Sequence, residues 1–80
     1  ARLGEPRKAI EHYEQALKIS REIGYRRGEA NTHWNMSLAQ DSLGKRSDAV
    51  GLAKEALAIY EQIESLYAER VRQQLAEWQQ

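Results

Sequence analysis

Apolar residues recur every three or four positions along most of the chain. Ala9, Tyr13, Ala16, Ser20 and Ile23 make one such row, widened by Ile10 and Leu17. That is the spacing of one face of an α-helix. Forty residues later Ala49, Ala53, Ala56, Tyr60 and Ile63 form a second row, widened by Val50 and Leu57. The small alanines in both rows let a neighbouring helix come close. Gly4, Gly24 and Gly44 suit the left-handed residue that ends a helix, and Pro6 suits a first turn, where its missing N–H leaves no bond unmade. The pattern predicts an all-α chain with helices near 6–23, 26–43, 46–63 and 66–78, joined by turns so short that successive helices run antiparallel. Gly24 and Gly28 favour a turn between the first two. Each Gly costs only about 1 kcal/mol inside a helix, so a continuous helix through 24–28, as in an oligomer that exchanges helices, is the other arrangement the pattern admits.

The second predicted helix carries two apolar stripes. Thr32, Met36, Ala39 and Leu43 form one, and Ala30, Trp34 and Leu38 the other. Trp34 and Met36 are two residues apart, hence roughly 200° around a helix of 3.6 residues per turn. A helix apolar on opposite sides has to be covered twice, by its own chain or by a partner. The last helix differs. Tyr67, Val71, Leu75 and Trp78 fall on one side, while Arg70, Gln73, Gln74, Glu77, Gln79 and Gln80 face elsewhere, as the terminal cap of a helical stack requires.

The two rows belong to an internal repeat. Residues 3–23 and 43–63 align without gaps, with seven identical pairs: Leu3/Leu43, Gly4/Gly44, Ala9/Ala49, Ala16/Ala56, Leu17/Leu57, Ile19/Ile59 and Ile23/Ile63. Ile10/Val50 adds a conservative pair. Identity falls on apolar and glycine positions while the polar residues between them differ, so packing and turns carry the repeat.

These residues resemble the tetratricopeptide repeat family, whose unit is a helix–turn–helix with small residues at fixed positions. The stretch 30–63 lines up with one whole unit: Gly44 falls on the turn glycine, and Ala49 and Ala56 on the two alanines of the second helix. In the preceding partial unit Gly4, Ala9, Tyr13 and Ala16 match the same turn, alanine, aromatic and alanine positions. The period of forty is similar to that of the long-helix variety found in kinesin light chains, cell-polarity adaptors and arrays attached to bacterial signalling ATPases. The run from Ile23 to Ala30 resembles an inter-repeat segment of that variety, and the stretch from Ile59 to Trp78 the closing segment of some bacterial arrays. The unit 30–63 departs from the pattern at His33 (a large hydrophobe in the family), at Ser37 (glycine or alanine), at Gln40 (tyrosine) and at Ala53 (an aromatic). The resemblance implies an α-solenoid fragment over 1–80: a partial repeat in 1–25, a full repeat in 26–63 and a capping helix in 64–80.

Charge narrows the function. Twelve basic and twelve acidic residues leave a formal net charge of zero. Nucleic-acid binding needs a surplus of Lys and Arg on one face, and the densest central basic spot, Arg26 and Arg27, is flanked by Glu22 and Glu29. Glu14/Lys18 and Glu22/Arg26 sit at i,i+4 in the favourable order for a solvated helix face. Neither nucleic acid nor membrane is an expected partner, since apolar runs are only a few residues long. No signal peptide opens the chain, and Ala1 in place of a Met reads as a piece of a longer protein. There is no Cys, which favours a reducing, cytoplasmic setting.

Catalytic chemistry finds no footing in the pattern. His12 and His33 lie on different predicted helices without metal-ligand spacing, and Ser20, Ser37 and Ser42 have no nucleophile-elbow context. Ser47 and Ser65 read as helix-start residues. No catalytic residue, metal site or cofactor is expected. The resemblance carries a concave, partner-binding role onto Asn31, Trp34, Asn35, Leu38 and Asp41. Asn35 falls where the long-repeat variety often has an asparagine that bonds an extended peptide, and its amide supplies both donor and acceptor; bonding within the helix or to water is the alternative. Trp34 is either a binding hot spot or a packing residue, and Trp78 a core residue of the cap. Two functions follow: a scaffold that binds a protein or peptide on this face, or a homo-oligomer built through the apolar row of residues 6–23.

Overall fold

Turns of one geometry, spaced by twenty residues, set the architecture. A computed structural model describes residues 6–80, so the expected turn at Gly4 lies outside the described residues. Four helices follow in order: α1 (Pro6–Ile23), α2 (Arg26–Ser42), α3 (Arg46–Gln62) and α4 (Tyr67–Trp78). Gly24, Gly44 and Glu64 all have left-handed backbone, with φ of 71°, 78° and 56°. The next N–H reaches back five residues each time: Tyr25 donates to Ser20 O at 2.8 Å, Lys45 to Gln40 O at 2.9 Å and Ser65 to Tyr60 O at 2.8 Å. These are Schellman closures, which satisfy carbonyls a helix end would leave unpaired. Residues 24–28 therefore contain a turn, and the continuous-helix alternative is not adopted. Each helix packs on the next, and the described residues contain no strand.

Gly28 is a different kind of glycine. It lies inside α2, where a Cβ would sit 2.5 Å from Tyr25 Cδ2 and 2.9 Å from Ser20 Oγ. Its role is to let α1 and the Tyr25 ring close on α2. Two local expectations are also corrected. Ser47 lies within the first turn of α3 and makes no capping bond, while Ser65 Oγ accepts the Tyr67 N–H at 3.2 Å. Arg26 does not pair with Glu22, because the turn at Gly24 separates them; it reaches Glu29 at 3.0 Å instead.

The core lies between α2, α3 and α4. Ala49, Ala53 and Ala56 are fully buried on α3, so α2 meets α3 over a row of methyl groups. Ile59 and Tyr60 extend that row, and Ala68, Val71 and Leu75 cover it from α4. The Tyr60 hydroxyl donates to Asn31 Oδ1 and its ring stacks on Tyr67, with centroids 5.6 Å apart. Of the two α2 stripes, the one with Thr32, Met36 and Ala39 is buried, while in the other only Ala30 is buried, Trp34 being half-buried and Leu38 exposed. The buried hydroxyls of α2 are satisfied internally: Thr32 donates to Gly28 O and Ser37 to Trp34 O, both at 2.8 Å.

α1 is covered on one side only. Ser20 is its one buried residue among those described, and Ala16 is exposed. Ile19 is 56% exposed, whereas its repeat equivalent Ile59 is 6% exposed. The same residue type in the same register is buried in one copy and open in the other, because α4 covers α3 and no helix among the described residues covers α1 in that way.

Candidate partner-binding face

Asn31, Trp34, Asn35 and Leu38 follow i, i+3, i+4, i+7 along α2, so helical geometry alone gathers them on one face. The structure gives them different duties. Asn31 is half-buried and held by the Tyr60 hydroxyl. Asn35 is exposed, and its amide has no hydrogen-bond partner among the described residues. Leu38 is 39% exposed. Asp41, one turn on, pairs with Arg46 at 2.6 Å. Trp34 is half-buried against Trp78 of α4, with centroids 6.2 Å apart and planes tilted by 35°. The Arg46 guanidinium lies 5.4 Å from the centroid of Trp78, in cation–π range. Trp78 is thereby a packing residue that backs Trp34 and anchors α4.

Trp34 both packs and faces outward. With Leu38 it forms the apolar side of an open cleft of roughly 360 Å³, whose other side is Arg70, Gln73, Gln74 and Glu77 on α4. A second cleft of roughly 300 Å³ adjoins Leu66, Tyr67 and the same Arg70. By helical pattern Arg70, Gln73, Gln74 and Glu77 fall on a polar, solvated face. No spacing signal marks them as cleft residues, because their role depends on how far α4 leans over α2. Tyr60 was legible only as a member of the apolar row, not as the donor that fixes Asn31.

Buried charge gathers elsewhere, between α1, α2 and α3. Glu29 is buried and pairs with Arg21 at 3.3 Å and with Arg26. Arg26 also donates to the Gln62 side chain, linking the start of α2 to the end of α3. One turn on, His33 is 3% exposed. Its Nδ1 lies 3.2 Å from Glu55 Oε2, yet without the alignment of a hydrogen bond. Loss of hydration pushes the imidazole pKa below its usual value; Glu55 and Glu29 oppose the shift, and Arg21 and Arg26 add to it. Burial likewise raises the Tyr60 phenol. Among the described residues, no three His, Cys, Asp or Glu side chains are grouped to hold a metal ion, and no helix is long and apolar enough to cross a membrane.

A family model described as Tetratricopeptide repeat matches residues 1–62, which end with the last residue of α3. The match carries the family and not the kinesin light chain variety. No curated protein and no solved structure gives a significant match.

Proposed function

Because the chain belongs to the tetratricopeptide repeat family, whose repeats generally mediate protein–protein interaction, we propose that it is a non-catalytic scaffold that binds a protein or peptide on the α2 face bearing Asn31, Trp34, Asn35, Leu38 and Asp41. The observation that supports this reading most is the cleft between α2 and α4, where a Trp and an exposed Leu lie beside an Asn with no internal partner. An apolar seat of this kind excludes water from a bound side chain, and Trp is among the residues enriched where interface energy concentrates. The Asn35 amide can pair with a peptide backbone whatever its sequence. α4, beyond the matched residues, closes the array as a polar-faced cap and supplies the second wall. The absence of Cys fits a cytoplasmic setting.

The test is selection of binders from a displayed random-peptide library, followed by affinity measurement against Asn35→Ala, Leu38→Ser and Trp34→Ala, each checked for intact helicity. We expect at least fivefold weaker binding for Leu38→Ser and Trp34→Ala. Binders indifferent to all three substitutions place the binding face elsewhere.

A second reading rests on α1. Its apolar residues are the repeat equivalents of the α3 residues that α4 covers, yet Ile19 and Ile23 are 56% and 70% exposed. A second copy offers helices of the same repeat to cover them, giving a homodimer through residues 6–23. Light scattering over a wide concentration range decides this. Association that disappears in Ile19→Ser/Ile23→Ser supports it, and a monomer at every concentration excludes it.

A further inference from the structure

Resting on the reading of residues 6–23 as a homodimer face, we propose that two copies pair their α1 helices antiparallel about a two-fold axis, with Ala16 of each packed on Ile19 of the other.

The open row of α1 carries the same pattern as the helix that covers its repeat equivalent. α4 covers α3 with Ala68, Val71 and Leu75. These are an alanine, a β-branched residue and a larger aliphatic one at i, i+3 and i+7. α1 repeats that order with Ala16, Ile19 and Ile23. All three are exposed, Ile19 at 56% and Ile23 at 70%. The same three residues are also the equivalents, forty positions back, of Ala56, Ile59 and Ile63 on the covered helix. One face of α1 is thus both a row to be covered and a stripe that covers such a row. A second copy supplies both halves of the contact, as an isologous interface requires.

The contact between α3 and α4 also gives the register. The two helices run antiparallel across the turn at Glu64, with Tyr60 stacked on Tyr67. Counting away from that stack sets Ile59 against Ala68 and Ala56 against Val71, all buried in one cluster. Transferred to α1, the first contact becomes Ile19 against the partner's Ala16, and the second Ala16 against the partner's Ile19. The two are one contact seen from either side of a two-fold axis, so the pattern closes as a dimer and does not extend into a filament. One turn further out, Ile23 meets the exposed His12 of the second copy. Alanine at the centre lets the helix axes approach to the close end of the usual range of about 8–10 Å.

The test uses the whole chain, which has no cysteine of its own, in the variants His12→Cys and Ile23→Cys, oxidised singly and in an equal mixture. In this register positions 12 and 23 of opposite copies face each other with Cα atoms roughly 5 Å apart, given those axis distances and the helix radius, within disulfide reach. Two copies of position 23, or two of position 12, lie about 16 Å apart along the axis at about 1.5 Å per residue, beyond that reach. The mixture is expected to give at least about tenfold more cross-linked dimer than either variant alone. Ile19→Lys in both chains, checked for intact helicity, should abolish the link. Cross-linking within the Ile23→Cys variant alone overturns the antiparallel register while leaving a dimer through α1. So does the absence of a link in a mixture that light scattering shows to be dimeric. A link that survives Ile19→Lys overturns the face itself, as does a monomer at every concentration, and the dimer reading falls with it.

Discussion

Replacing Glu64 with glycine should make this protein more stable. Glu64 is the one non-glycine residue with positive φ among the described residues, and it occupies the turn position that Gly24 and Gly44 hold in the two preceding turns. Left-handed backbone costs a residue with a Cβ roughly 1–2 kcal/mol. Glycine in turn widens the unfolded ensemble, taking back about 0.4–1 kcal/mol. The net gain for Glu64→Gly is about 0.8 kcal/mol, the difference between the middles of those two ranges. For a domain of this size that is a rise in Tm of roughly 2–8 °C. Gly24→Ala and Gly44→Ala supply the mirror test. An added Cβ at either site meets no heavy atom within 4 Å, so only backbone conformation is at stake, and each should lose about what Glu64→Gly gains. Glu64→Gln keeps the Cβ and removes the charge, and should leave stability within about 0.5 kcal/mol, as for a surface change. Urea unfolding followed by circular dichroism measures all four. The reasoning is refuted if Glu64→Gly is no more stable than Glu64→Gln, or if the glycine-to-alanine variants gain stability.

Three further outcomes can be measured on the same chain. His33 has its folded pKa below the unfolded value of 6.5, so its contribution is complete above pH 6.5. It is lost as pH falls, because the unfolded chain binds the proton first, with a slope of at most about 1.4 kcal/mol per pH unit. His33→Leu should flatten the stability profile just below pH 6.5, and an unchanged profile there assigns the loss to other groups. Tyr60→Phe removes the hydroxyl that holds Asn31 and should cost about 1 kcal/mol, with the Asn31 amide shifting by NMR; no shift contradicts the bond. Val71→Ala empties a fully buried site between α3 and α4 and should cost about 2 kcal/mol. If its midpoint matches that of the unaltered chain, α4 does not seal the core.

How much of this was readable in advance depended on the range of the interaction. The helix spans, the turn at Gly24 and the buried alanines of α3 follow from local spacing and from the forty-residue repeat, because periodicity and glycine conformation act within a few residues. The face carrying Asn31, Trp34, Asn35 and Leu38 was legible for the same reason. Its partition was not: whether Trp34 packs or faces outward depends on Trp78, forty-four positions away, and Asn31 was committed by Tyr60, twenty-nine positions away. Gly28 and Gly24 look alike as letters. Only the packed helices distinguish a glycine that needs positive φ from one that makes room for Tyr25.

The sequence by itself determined a repeating, alanine-lined α-helical chain with balanced charge, since those properties follow from residue type and spacing. The tertiary structure decided which of two equivalent isoleucines is buried and which residues face one another across the cleft. Identical local patterns at Ile19 and Ile59 meet different neighbours. Burial is a property of what lies opposite, and no stretch of sequence contains its own opposite wall.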